Sequence, residues 1–175
     1  MLKHLLVPLE GNESAESVLP YVRCLDAHGV SEITLLRTEL PVALDEYAAV
    51  SEAALDHARN YLSTIKRRLS DVKARVRTLA QIGPAASTIL DVARSREATL
   101  ILAAATQRPR LVRFLFGNVT ERLVQRSRVP VMAVPSQWTE SAPVPRQLLL
   151  PLDGGRASRD ILPPILEFAQ ATGAR

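Results

Sequence analysis

Thr99-Leu100-Ile101-Leu102-Ala103-Ala104-Ala105 runs without a charge and without alternation of polar and apolar side chains. A strand with one wet face alternates, whereas a strand covered on both faces need not, so this stretch reads as a central strand of a parallel sheet sandwiched between helices. Working outward, four more short apolar runs have strand length: His4 to Leu9, Ile33 to Leu36, Val76 to Ile82, and Val131 to Val134. The last lies between Pro130 and Pro135, and a proline that donates nothing to a ladder suits an edge strand.

Segments of helical period fill the gaps. Ala15 to about His28 reads as a helix with Ser14 as its N-cap, a slight bend at Pro20 and Gly29 as its stop. From Ala48 to Leu69, Val50, Ala54, Ala58, Leu62, Ile65 and Leu69 recur at steps of three or four and draw one apolar stripe. Gly83-Pro84 opens a third helix, with Ile89, Val92 and Ala93 toward the sheet. A fourth spans about Val119 to Arg126, where Asn118 and Glu121 have the spacing of a capping box. Strands alternating with helices predict an α/β fold, a five-stranded parallel open sheet with helices on both faces, complete by residue 136.

The remainder repeats the beginning. Residue n set beside residue n+143 aligns His4-Leu5-Leu6-Val7-Pro8-Leu9-Glu10-Gly11 with Gln147-Leu148-Leu149-Leu150-Pro151-Leu152-Asp153-Gly154, and Leu19-Pro20 with Leu162-Pro163. That period indicates a duplicated domain, since solenoid repeats are only ~20 to 50 residues long. Residues 1–136 are therefore expected to form a first domain, 137–146 a proline-bearing linker, and 147–175 the first strand and helix of an incomplete second copy. An unpaired apolar strand at 148–152 invites pairing with a sheet edge, in its own chain or a neighbour's.

Composition narrows the function classes. Of 175 residues, 47% are hydrophobic and 23% charged, which suits a folded globular protein and excludes disordered or collagen-like classes. No apolar run reaches the ~18 residues of a membrane span, and the first residues do not resemble a secretory signal, so the expectation is a cytoplasmic protein without a membrane partner. The single cysteine, Cys24, excludes an internal disulfide and the usual zinc spacings, and reads as a small core residue. Residues 1–57 hold 3 Lys and Arg against 10 Asp and Glu, while residues 58–128 hold 15 against 4. With aromatics at 4%, no stacking platform for bases accompanies the basic half, and nucleic acid is not the expected partner.

In an open parallel sheet, ligands sit beyond the carboxyl ends of the strands where chain order reverses, here between the first and fourth strands. The loops Pro8 to Ser14 and Ala104 to Thr120 are then the ones that matter, and Gly117-Asn118-Val119-Thr120 offers a glycine followed by a helix N-terminus. Elsewhere the chemistry is sparse. His4, His28 and His57 have no second ligand at metal spacing, Ser14, Ser17 and Ser87 lie in no nucleophile elbow, and Lys66-Arg67-Arg68 ends a helix where cations favour the dipole.

His4 to Gly11, Gly83-Pro84-Ala85 with Ile89, the fourth strand, Gly117 to Leu123, and Val129 to Pro135 together resemble the universal stress protein family. The resemblance covers nearly all of residues 3–135, with 147–175 similar to the start of a second copy, as in tandem members. It implies a Rossmann-like five-stranded fold, dimerisation through the last strand, and membership of one of two subgroups distinguished by ATP binding. ATP-binding members carry glycine, two residues, glycine, nine residues, then glycine followed by serine or threonine; here those positions hold Ala104, Gln107, Gly117 and Asn118. The family's aspartate after the first strand is Glu10 here, while the second copy keeps Asp153.

By the same resemblance, a nucleotide would lie against Pro8, Leu9, Glu10 and Thr38. Ala103, Ala104, Thr106, Gln107, Gly117, Asn118, Val119 and Thr120 would surround its phosphates, with Arg108, Arg110 and Arg113 adding charge. ATP with magnesium is the implied cofactor, and no cofactor is the alternative. Two functional readings stay open: a stress-response regulatory module with a degenerate nucleotide site, acting through dimerisation or a protein partner, and an ATP-binding sensor whose loop 104–118 orders on binding. No positioned base or carboxylate is visible to activate water, so catalysis, at most weak ATP hydrolysis, ranks third.

Overall fold

The computed structural model describes residues 2–41, 47–105, 119–135, 145–155 and 159–175. Five parallel strands form one sheet in the order β3-β2-β1-β4-β5, where β1 is His4–Pro8, β2 Glu32–Glu39, β3 Arg75–Ile82, β4 Leu100–Ala105 and β5 Val131–Pro135. The apolar run at 99–105 is interior, as its composition predicts, but the middle place belongs to β1, which pairs with both β2 and β4. β5 lies at an edge.

Period-2 alternation of side chains sorts two cores. Leu5, Val7, Ile33, Leu35, Leu100 and Leu102 face α2 (Leu19–Ala27) and α3 (Tyr47–Arg68), meeting Val22, Leu25, Leu62, Ile65 and Leu69. Leu6, Leu36, Ile101 and Ala103 face the other way, toward Ile89, Val92 and Ala93 of α4 (Ala85–Ser95) and Leu123 of α5 (Val119–Arg126). Each fully buried side chain of this size contributes about 1.5–3 kcal/mol, so the two covered faces hold the sheet.

Four local expectations are corrected. The helix expected over 15–28 is split into α1 (Glu13–Glu16) and α2, because Pro20 has no N–H to offer the carbonyl of Glu16 and instead occupies the first turn of α2. The cap is Asn12 rather than Ser14: its Oδ1 accepts the Ala15 N–H at 2.8 Å. On α3 the stripe is buried from Ala58 to Leu69, whereas Val50 is 49% exposed. Cys24 is half-buried at the flank of α2, not in the core set of Leu19, Tyr21, Val22 and Leu25.

Residues 147–150 form no strand of the sheet, in contrast to the expected strand. Their ladder is one bridge: Arg175 donates its N–H to the Arg146 carbonyl at 2.9 Å and accepts the Leu148 N–H at 2.8 Å. A further helix, α6, spans Leu162–Thr172 with prolines in its first turn, and its Phe168 packs against the α2–α3 core. Most of the expected linker, residues 137–144 of 137–146, lies outside the described residues.

Candidate functional site

At the reversal point between β1 and β4 the carboxyl ends of the strands open into a cleft of about 740 Å³. Beyond β1, the Leu9 N–H bonds the Leu36 carbonyl at 2.8 Å, which carries the first strand's direction one residue further and leaves Glu10 exposed at the mouth. β2 continues three residues past its apolar run, in register with β3 as far as Glu39 and Ile82, and so brings Arg37, Thr38 and Glu39 to the wall. The opposite wall is the start of α4, Pro84 to Ser87, with Arg122 and Arg126 one turn apart on α5.

Of the residues that the family resemblance marks, Pro8, Leu9, Glu10, Thr38, Ala103, Ala104, Val119 and Thr120 line this one cleft. Thr106, Gln107, Gly117 and Asn118 lie outside the described residues, as do Arg108, Arg110 and Arg113. The Thr120 hydroxyl donates to the Ala104 carbonyl at 2.8 Å and ties the first turn of α5 to the end of β4. The Ala104 methyl packs partly against the α2–α3 core while the residue also borders the cleft.

Charge enters the cleft from residues that the apolar runs alone do not mark. Arg37 donates from Nε to Glu39 Oε1 at 2.6 Å, with both side chains largely buried. Its guanidinium lies over the Tyr61 ring at 5.1 Å from the centroid. The Tyr61 hydroxyl donates to Glu16 Oε1 at 3.2 Å, and Glu16 pairs with Arg68. Burial, then the Glu16 charge and hydrogen bond, push the Tyr61 phenol above its usual range, against the opposing charges of Arg37 and Arg68. The available signal was that the charged pair Arg37 and Glu39 follows the apolar run 33–36 with the same two-residue period as Ile33 and Leu35, which continues the strand.

The remaining candidates are structural. His4 is buried: Nδ1 meets the Arg96 carbonyl and Nε2 the Thr34 hydroxyl, each at 2.8 Å. His28 Nδ1 meets the Cys24 carbonyl at 2.7 Å. Among the described residues no three His, Cys, Asp or Glu side chains converge as a metal site, and no helix is long and apolar enough to cross a membrane.

A parallel sheet wound on both faces, with an open cleft at its switch point and a helix N-terminus at the end of β4, defines a Rossmann-like α/β protein of the nucleotide-binding type of fold. Within that class the chain belongs to the universal stress protein family, whose model matches residues 1–135. Universal stress protein MJ0577 of Methanocaldococcus jannaschii is 23% identical over 154 residues, covering 77% of this chain and 95% of its own. The solved structure of MJ0577 superposes with a TM-score of 0.69 at 24% identity, over 79% of this chain and 99% of the other. A longer universal stress protein from Archaeoglobus fulgidus covers all of this chain with a TM-score of 0.81 at 17% identity, and this chain covers 65% of it. A universal stress protein family member from Arabidopsis thaliana, solved with AMP bound, superposes with a TM-score of 0.56 at 13% identity.

Proposed function

We propose that the protein is a stress-response regulatory module whose cleft takes a nucleoside monophosphate and whose triphosphate path is altered. Two observations support this: Pro8, Leu9, Glu10 and Thr38, where the family resemblance would set a nucleoside, line open space in one cleft, and the sequence holds Ala104 and Gln107 where triphosphate binders of the family have glycine. A glycine there lets the backbone approach a polyphosphate; a methyl or a glutamine side chain keeps it away. A monophosphate needs only the helix start at Val119-Thr120 and the cations of the wall. The relative solved with AMP fits the same reading.

Calorimetric titration with AMP, ADP and ATP, with and without magnesium, tests it. AMP binding that is as tight as or tighter than ATP binding is the expected result. ATP with magnesium binding at least tenfold tighter would overturn it in favour of the second reading, an ATP-dependent sensor.

Residues 147–175 we read as the opening of a second copy of the same fold, with 137–146 as the linker. The hydrogen bond from the Arg175 N–H to the Arg146 carbonyl has its counterpart, 143 residues earlier, in Glu32 N–H to the Lys3 carbonyl at 3.0 Å. The Leu148–Arg175 bond likewise matches the His4↔Glu32 register of β1 and β2. α6 repeats α2 with a proline at the same place in its first turn. Regulation on this reading proceeds by assembly, either a homodimer through β5 or the 147–152 segment or a complex with a protein partner; Leu149, 94% exposed, is available to it. Light scattering of the full chain against a version ending at Pro135 tests the intermolecular form, which equal monomer masses would sink.

A further inference from the structure

A second depression, of about 350 Å³, lies against the edge strand β3, toward the amino ends of the strands and away from the cleft. Lys66, Arg75, Arg77 and Arg96 line it, with Thr34 and Thr78, and no carboxylate is among its described lining residues. Parallel register explains the convergence. Arg75 and Arg77 are paired with Glu32 and Thr34, so all four side chains share one face. α4 ends at Ser95 and places Arg96 beside them, while Lys66 reaches the depression from the last turn of α3.

Ordinary structural roles account for part of this charge. Lys66 and Arg96 stand at helix C-termini, where cations offset the dipole. Arg77 pairs through Nε with Glu32 Oε1 at 2.7 Å. Arg75 stands on an edge strand, where a charge guards against pairing with another chain. These roles do not require the four cations to meet around one concavity. After Glu32 neutralises Arg77, Lys66, Arg75 and Arg96 remain without a carboxylate partner among the described residues. Thr34 in the wall is only 3% exposed and its hydroxyl is held by His4 Nε2, so this part of the lining is fixed rather than adaptable.

We propose that this depression binds a small anion with two linked phosphate groups. One phosphate carries about −1.5 to −2, too little for three free cations; two linked phosphates carry about three negative charges and meet them one for one. The volume lies near the lower bound, about 300 Å³, of small-molecule sites, which suits a diphosphate. The site is independent of the nucleotide reading of the cleft, because the two share no lining residue among the described residues.

Inorganic diphosphate is the probe, titrated into the full chain at low salt and followed both by calorimetry and by amide chemical shifts. Saturable binding that moves the Val76 and Thr78 amides and leaves those of Leu9 and Thr120 in place is expected. The double variant R75Q/R96Q should weaken it by about tenfold or more, since each charge-assisted hydrogen bond is worth about 1.5–3 kcal/mol. R59Q/R94Q removes the same charge from exposed helix surfaces outside the depression and should leave the affinity within about twofold. Equal weakening in the two double variants would mean diffuse attraction to a basic surface and would overturn the proposal. So would shifts confined to the cleft, or an R75Q/R96Q protein that self-associates with its diphosphate affinity intact, which would assign the charges to edge protection alone.

Discussion

The guanidinium of Arg37, at the end of β2, lies over the ring of Tyr61 on α3, 5.1 Å from its centroid. A cation over an aromatic face contributes about 0.5–2 kcal/mol depending on its desolvation, and here the cation is also held by Glu39 at 2.6 Å. The arrangement fastens the wall of the cleft to the helix behind it. It also fixes what fits on the other side, for Gly11 of the β1–α1 loop lies against the same guanidinium.

A Cβ on Gly11 would stand 2.0 Å from Arg37 Nη1, and the residue has φ +82. Gly29 has φ +97 with nothing within 4 Å of the same position. Gly29→Ala is expected to cost the backbone strain alone, about 1–2 kcal/mol. Gly11→Ala should cost that and more, because Arg37 must leave Tyr61 or Glu39. Urea unfolding of the two variants measures the difference; equal midpoints would show that Arg37 moves aside freely.

The α3 stripe supplies a second contrast. Leu62 is fully buried, whereas Val50 is 49% exposed although both belong to the same sequence period. Leu62→Ala is expected to destabilise by about 2–5 kcal/mol and Val50→Ala by less than about 0.5 kcal/mol. Chemical denaturation reads both directly.

That contrast marks where the sequence was legible. An apolar run such as 99–105 or a stripe such as 58–69 reports burial because burial is what selects it, and the alternation of such runs with helices gave the parallel class of sheet but not which strand stands in the middle. Stripe periodicity does not say where a helix leaves the sheet behind, which is why Val50 was assigned to the core. Pro20 marked a perturbation but not its size; the break depends on Asn12 capping a separate first turn. In the cleft, the residues that resembled a family motif were legible one by one, while Arg37, Glu39, Arg122 and Arg126 entered through strand extension and helix phase. Lone charges at strand and helix ends have too many ordinary uses for a sequence to assign them.

Alkaline titration isolates the Tyr61 network. Burial first, and then Glu16, raise its phenol above the ordinary 10.0, against Arg37 and Arg68. A group raised on folding contributes stability that is fully present below the unfolded value, near pH 10, and is lost as pH rises toward the folded value. The protein should therefore lose stability above roughly pH 10. In Tyr61→Phe the hydrogen bond to Glu16 is gone, at about 1 kcal/mol near neutrality, but the alkaline slope should be shallower. Tyr21, also raised by burial, is present in both proteins and cancels in the comparison. Parallel slopes between roughly pH 9 and 11 would show that Tyr61 does not titrate with unfolding.

Restoring glycine at positions 104 and 107 tests whether, as we propose, two side chains alter the phosphate path. The Ala104 methyl partly packs on the α2–α3 core, so Ala104→Gly is expected to cost about 0.5–1 kcal/mol of stability while opening the end of β4. With Gln107→Gly the backbone regains both close approaches that a triphosphate needs. Thr120 remains bonded to the Ala104 carbonyl at 2.8 Å through the backbone, so the start of α5 keeps its place. ATP affinity should rise by about tenfold or more, the worth of one or two recovered phosphate contacts, with AMP affinity nearly unchanged. Calorimetry on the double variant decides the matter. A gain for ATP alone places the difference in the two side chains, whereas no gain for either ligand moves it to Asn118 or Glu10, where the chain also departs from the ATP-binding pattern.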